Sequence, residues 1–168
     1  ALGSASKELN VVGEKDFFGR VVSYCAMCDG NFYKGKSVAV VGSGDSAVSN
    51  ALYLSNLCEK VHLFTKEKLR LNVYKEEQIL TVKNLILHKG VGIKRIIGEK
   101  TVSGVEYFEN DREKICKVDG IFVAIGRIPD TAALKGEIAL DEKGYIVTTN
   151  NVKTNIEGVF ACGDVVKD

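Results

Sequence analysis

The chain has one proline, Pro129, in 168 residues, and no low-complexity run, internal repeat or block of like charge. It therefore lacks the marks of a flexible linker or a repeat array. An excess of one charge is missing too. Lys and Arg number 23 against 22 Asp and Glu, a formal net charge of +1, so no strong field draws the chain to nucleic acid or an anionic membrane. No apolar run approaches the roughly 20 residues of a spanning helix. The opening Ala1-Leu2-Gly3-Ser4 has neither the charged nor the apolar region of a signal peptide, and a cytoplasmic location is expected. Five cysteines, an odd number, build no small secreted framework. They fit a reducing compartment in which Cys58, Cys116 and Cys162 stay free as small buried hydrophobes. What is present is an ordinary globular balance, 45% hydrophobic and 27% charged, over a length that allows one good core or two small ones.

Two motifs carry chemistry. Cys25-Ala26-Met27-Cys28 is a dithiol followed at once by Asp29-Gly30, and just downstream Val38–Val41 breaks at Gly42-Ser43-Gly44-Asp45-Ser46-Ala47. A CxxC pair brings two sulfurs close enough to close a small disulfide ring, and electrostatic support lowers a cysteine pKa into the reactive range. The glycine pattern presents backbone N–H groups and a helix N-terminus to a pyrophosphate. A CxxC can instead be half of a zinc site, but that needs a second Cys or His pair at tight spacing. None is visible, His62 and His88 stand alone in expected strands, and no metal is expected. Asp29 reads either as a proton donor and acceptor beside Cys28 or as Asp-Gly turn chemistry.

The surrounding pattern supplies the context. Residues 1–36 hold no sustained period and read as short strands and loops. Residues 37–41 form a buried parallel strand. Ala47, Val48, Ala51 and Leu52 recur at helical spacing behind Asp45 and Ser46, either of which can cap a helix over 45–56. A strand at 60–64 completes a βαβ unit, the setting in which GxGxxA gains meaning. A helix over 74–83 and a third strand at 84–88 follow, then an antiparallel meander from 92–98, 101–109 and 113–118. A buried strand at 121–125 returns to the sheet. After Pro129 come a helical turn, a hairpin-like 141–144 leading into 145–147, and a last strand at 158–161. The expected class is α/β and Rossmann-like, a single domain over 1–168 with a parallel sheet, flanking helices and a β-meander.

At the end of the second strand an NAD site carries an acid for the ribose 2′-hydroxyl. Here Thr65 stands there, followed by Lys66, Glu67, Lys68 and Arg70, which favours a 2′-phosphate over a merely solvated loop. The rival from another class is a nucleotide-binding module with inert cysteines, and a thioredoxin-like module is a further redox reading.

Val22-Ser23-Tyr24-Cys25-Ala26-Met27-Cys28-Asp29-Gly30 resembles the active-site segment of bacterial-type, low-molecular-weight thioredoxin reductases. Gly42–Val48, Phe122–Pro129 and Gly158–Val165 are similar to that family's nucleotide turn, return strand and flavin-contacting turn, in order. The resemblance runs nearly end to end. It implies an FAD/NAD(P)-binding fold, Cys28 facing the flavin, Cys25 as interchange thiol and Asp29 as proton donor and acceptor. It implies nucleotide contacts at Gly42–Ala47, Thr65, Lys66, Arg70, Gly126 and Arg127, with Gly163 and Asp164 meeting FAD. The implied cofactors are NADPH, or NADH, and FAD, and the implied partner is thioredoxin or a thioredoxin-like disulfide protein, in a homodimer. It also implies a missing FAD-binding half, without which the fragment does not turn over. The usual His-Arg-Arg and later Arg appear as Thr65-Lys66-Glu67 and Arg70, so an anion stands where a cation is expected. That departure keeps two relatives open, the NADH-linked flavoprotein reductase of an alkyl hydroperoxide peroxidase system and a ferredoxin-linked thioredoxin reductase. Ser43 replaces the usual middle glycine and Cys162 a small residue.

Overall fold

The computed structural model describes residues 2–69, 73–110 and 112–167. The chain forms two compact units, residues 1–7 with 127–168, and residues 8–126.

In the smaller unit, β1 (Ser4–Ser6) pairs antiparallel with β10 (Arg127–Pro129), Ser4 opposite Pro129 and Ser6 opposite Arg127. Its core is small: Ile138, Ile146, Ala161 and Val165, with Leu134, Leu140 and Val166 packed against them. The expected helical turn is a single 3₁₀ turn, Ala132–Leu134. The expected hairpin is present as a bridge between Leu140 and Ile146. Asp141 organises it, its Oδ1 accepting from Lys143 N at 2.8 Å and Tyr145 N at 2.9 Å, with Gly144 at φ 87°. The strand expected at 158–161 is absent. Phe160 makes one isolated bridge to Lys153, because Gly158 sits at φ 80° and Asn150 and Asn151 also turn left-handed, which breaks the ladder on both sides.

The larger unit has a parallel five-stranded sheet and a three-stranded meander. The sheet is built from β2 (Val22–Ser23), β3 (Ser37–Val41), β4 (Lys60–Thr65), β5 (Leu85–Lys89) and β9 (Gly120–Val123), in the order β2-β9-β3-β4-β5. Neighbours are in register, with Val40 beside Leu63 and Phe122. Both faces are covered, which is why β3 and β9 read as continuous apolar runs rather than alternating ones. On one face Val38, Val40, Val61, Leu63 and Phe122 meet the helix α3 (Asp45–Ser55) through Ala47, Val48, Ala51 and Leu54. Those four helix residues are fully buried, and Val48 and Leu54 each contribute about 1.5–3 kcal/mol by leaving water. On the other face Ala39, Val41, Phe64, Ile121 and Val123 meet Ile96, Val102, Val105 and Tyr107. These come from the antiparallel meander β6 (Ile93–Gly98), β7 (Val102–Glu109) and β8 (Arg112–Cys116).

The second expected helix is α4 (Val73–Thr81). Residues 2–36 hold two short helices in place of the expected strands and loops, α1 (Glu14–Phe17) and α2 (Ala26–Asp29), the latter running into a 3₁₀ turn, Gly30–Tyr33. Four-residue helices are too short to show a 3.6-residue period. The capping expectation for α3 also changes. Its N-cap is Gly44, at φ −98° and ψ 179°, and Asp45 and Ser46 lie inside the first turn, because the turn selects glycine for close approach rather than a side-chain cap.

Candidate functional site

The dithiol, the glycine turn, the loop at 66–69 and the segment Ala124–Gly126 each leave the carboxyl end of a parallel strand, β2, β3, β4 and β9 respectively. In open α/β sheets that edge is where ligands bind.

Cys25 and Cys28 are joined as a disulfide, their Cα atoms 5.3 Å apart. Cys25 is the N-cap of α2, and its Sγ accepts from Cys28 N at 3.1 Å, a contact that favours negative charge on that sulfur. Cys28 is exposed and Cys25 half-buried. Asp29 is the last residue of α2 and leads into the 3₁₀ turn at Gly30–Tyr33. Ser23 donates to Asp29 Oδ2 at 2.6 Å and accepts from Cys25 N at 3.0 Å, linking carboxylate and dithiol through one hydroxyl. Gly30, at φ −55°, is needed for space. A Cβ there would meet Leu54 Cδ2 at 3.0 Å and Tyr53 Cε1 at 3.1 Å, so this glycine lets the dithiol segment lie against α3.

The glycines of the turn have separate reasons. Gly42 has φ 152°, and a Cβ would meet the Ala124 carbonyl carbon at 2.8 Å, its oxygen closer still, and Ala47 Cβ at 2.9 Å. Gly44 has nothing within 4 Å of its Cβ position, so the backbone just ahead of α3 is open there. Ser43 Oγ accepts from Glu67 N at 3.3 Å and ties the turn to the loop after β4. Lys66 and Glu67 are exposed, whereas Thr65 is 1% exposed and its hydroxyl donates to the His88 carbonyl at 3.3 Å. Thr65 therefore turns into the sheet. Arg70 lies outside the described residues.

Gly126, at φ 113°, closes the larger unit. Arg127, Gly163 and Asp164 belong to the smaller one. There Arg127 donates from Nε to Ser4 Oγ at 2.6 Å and from Nη2 to Ser4 O at 2.5 Å, and Ser4 Oγ donates to Asp164 Oδ2 at 2.8 Å. Arg127 Nε lies 3.6 Å from the same carboxylate, and Gly163 has φ 76°.

Three features went unread in the sequence. Glu14, 2% exposed, accepts from Leu9 N, Asn10 N and the Tyr24 hydroxyl at 2.7–2.8 Å, anchoring the chain ahead of the dithiol. Burial, then the Glu14 hydrogen bond, pushes the Tyr24 phenol well above its usual range. Ser23, two residues before Cys25, carried the one local signal, a hydroxyl placed for a turn-type bond to the backbone. The histidines, expected to stand alone, are neighbours: His62 Nδ1 lies 3.1 Å from His88 Nε2, with Cys116 beside them. Burial, then His88 and Lys60, lowers His62 to about 4, burial lowers His88, and burial raises Cys116 to about 11. Cys58 and Cys116 are buried as expected, but Cys162 is exposed. It follows the core anchor Ala161, where the chain turns outward into Gly163.

A disulfide and a dinucleotide-type turn thus lie together on the carboxyl edge of one parallel sheet. The chain belongs to the pyridine nucleotide-disulphide oxidoreductase family, whose model it matches over residues 1–168. It is 40% identical to the thioredoxin reductase of Borreliella burgdorferi over 171 residues, covering 98% of this chain and 52% of that protein. It is similar to the solved thioredoxin reductase of Lactococcus lactis, with a TM-score of 0.91 and 30% identity over 99% of this chain and 56% of that one. A ferredoxin-flavin thioredoxin reductase from Clostridium acetobutylicum is more distant, with a TM-score of 0.57 and 30% identity over 99% and 53% of the two chains. The chain thus spans about half the length of these relatives.

Proposed function

We propose that the chain is the nucleotide-binding and dithiol-bearing part of a two-domain flavoprotein that reduces thioredoxin, or a thioredoxin-like disulfide protein, with NADPH. The observation that carries this reading is the Cys25–Cys28 disulfide with Asp29 held to it through Ser23. When bound, NADPH would supply a hydride and FAD the two electrons that disulfide reduction requires. Nothing lies within 4 Å of the Gly44 Cβ position, which supports a pyrophosphate binding beside it. Gly42, Ser43, Gly44, Asp45, Ser46 and Ala47 would hold it against the first amides of α3. Lys66 and Arg70 would meet the 2′-phosphate, Thr65 would shape that loop from inside the sheet, and Gly126 would contact the nucleotide; in the smaller unit Arg127 would serve cofactor binding, and Gly163 and Asp164 would meet the flavin.

Opening the disulfide consumes two electrons and two protons and leaves two thiols. Cys25, as thiolate, attacks one sulfur of the substrate disulfide: a new S–S bond forms, the substrate's own bond breaks, and the departing sulfur takes a proton. Cys28 then attacks the Cys25 sulfur, which restores the Cys25–Cys28 bond and releases the second substrate thiol. Asp29, oriented by the Ser23 hydroxyl, donates and accepts the protons these thiolates exchange. The Cys28 N–H on Cys25 Sγ supports Cys25 as the attacking sulfur. A dithiol that cycles in this way suits the cytoplasm, and the reading includes a homodimer. Among the described residues no helix is long and apolar enough to cross a membrane.

Glu67, exposed and held beside the glycine turn through Ser43, favours one second reading. A carboxylate there suits NADH and the flavoprotein reductase of a peroxidase system. Calorimetric titration with NADPH and NADH decides: the main reading expects tighter NADPH binding, weakened by Lys66→Ala and Arg70→Ala. An NADH preference would select the second reading, and binding of neither would contradict both.

A further inference from the structure

The groove on the meander side of the larger unit is separate from the dithiol edge. Its lining includes Ser37, Lys60 and Asp119, which stand at or just before the amino ends of β3, β4 and β9, the opposite end of the sheet. Three ligand-bearing side chains meet in it. His62 comes from β4, His88 from β5 and Cys116 from the end of β8. Their ligand atoms all lie within 4.8 Å of one another. The two imidazole nitrogens that face each other are 3.1 Å apart. The His88 ring is fixed by stacking on Phe64, with centroids 4.3 Å apart and planes within 8°, and by the edge of Tyr107 at 5.5 Å.

We propose that His62, His88 and Cys116 form a binding site for a thiophilic divalent cation, zinc by ligand chemistry. Two imidazoles and a thiolate are the donors that zinc accepts and that magnesium and calcium do not. Zn–N bonds of about 2.0–2.1 Å in a tetrahedral shell place two nitrogens about 3.3 Å apart, close to the observed separation. Zn–S of about 2.3 Å in the same shell puts the sulfur roughly 3.6 Å from each nitrogen, so from a separation of at most 4.8 Å Cys116 Sγ would approach by up to about 1.2 Å. Only three protein ligands converge among the described residues, and the groove of about 750 Å³ beside them leaves room for a water or small anion as the fourth. That is the pattern of an open, exchangeable site rather than a closed structural one. Binding replaces the Cys116 S–H bond with a sulfur–metal bond and releases one proton to solvent. The ion would tie β8, the last strand of the meander, to β4 and β5 of the parallel sheet, and so stabilise the larger unit.

The test uses the tag-free chain with Cys25–Cys28 kept oxidised, so that the dithiol offers no competing thiolate. Cobalt(II) is the spectroscopic probe and zinc the competitor. The expected result is one equivalent of cobalt with a sulfur-to-cobalt charge-transfer band and strong visible bands of a tetrahedral site, displaced by zinc. Cys116→Ser abolishes the band. His88→Asn weakens zinc binding by more than the roughly 100-fold that changes outside the ligand sphere reach. Cys58→Ser and Cys162→Ser leave both unchanged. Zinc raises the melting temperature of the parent chain and not that of Cys116→Ser. If Cys116→Ser fails to fold by circular dichroism, His62→Gln gives the same reading. The absence of a thiolate band in the parent chain, or its survival in the folded ligand variant, would overturn the proposal.

Discussion

Gly42 and Gly44 sit two residues apart in one turn, and replacing each by alanine should separate folding from nucleotide binding. At Gly42 the added methyl would lie 2.8 Å from the Ala124 carbonyl carbon and 2.9 Å from Ala47 Cβ, at φ 152°. Neither neighbour is a flexible side-chain end, so β9 or α3 must shift. Overpacking plus strained backbone costs about 2–3 kcal/mol. For a chain of this size each kcal/mol is worth roughly 2–4 °C, so Gly42→Ala should melt on the order of 5–10 °C lower. At Gly44 the methyl meets nothing within 4 Å and φ −98° suits alanine. The reduced freedom of the unfolded chain contributes about 0.4–1 kcal/mol, and the poorer N-cap residue offsets a similar amount. Gly44→Ala should therefore melt within about 2 °C of the parent. Its methyl occupies the space left for the pyrophosphate, so NADPH affinity should fall at least about tenfold, 1.4 kcal/mol. Thermal melting by circular dichroism and calorimetric titration provide the two readouts. A Gly44→Ala chain that binds NADPH as tightly as the parent would refute the assignment of that space, and an unchanged melting point for Gly42→Ala would refute the packing argument.

Ser23→Ala removes the hydroxyl shared by Asp29 and Cys25 N; stability should fall by about 1 kcal/mol, and stopped-flow measurement should show slower thiol–disulfide exchange. Glu14→Gln keeps the shape but offers one oxygen to three donors, so urea unfolding should register a loss of about 1–3 kcal/mol. Burial raises the Cys58 thiol to about 11 while Cys162 is exposed. At pH 8 Cys58 is almost wholly protonated and should alkylate more than about tenfold more slowly than Cys162. Its rate should climb steadily with pH up to about 11, a course that peptide mapping can follow.

Much of this was legible because the pattern is local. Val38–Val41 stopping at Gly42, with Ala47, Val48 and Ala51 at helical spacing, specifies a buried strand and an amphipathic helix within fifteen residues, and the structure returns β3 and α3 within a residue of the expected bounds. The meander was readable for the same reason, since turn residues separate its β-rich runs. What stayed hidden depends on distant pairing. His62 and His88 are 26 residues apart, and only the parallel register of β4 with β5, Phe64 beside His88, brings them together. Glu14 gives no signal of its burial until the loop at 9–10 folds onto it. The strand expected at 158–161 failed for a local reason that composition conceals, left-handed turns at Gly158, Asn150 and Asn151.

The central claim is that Cys25 and Cys28 are a working dithiol, and its most direct test is alkylation of the reduced chain against pH, followed cysteine by cysteine by mass spectrometry. The account predicts that Cys25 reacts with an apparent pKa well below the free-thiol value of about 8.5, supported by the Cys28 N–H on its sulfur. Ordinary reactivity at both cysteines would contradict the claim and leave a nucleotide-binding fold with an inert disulfide.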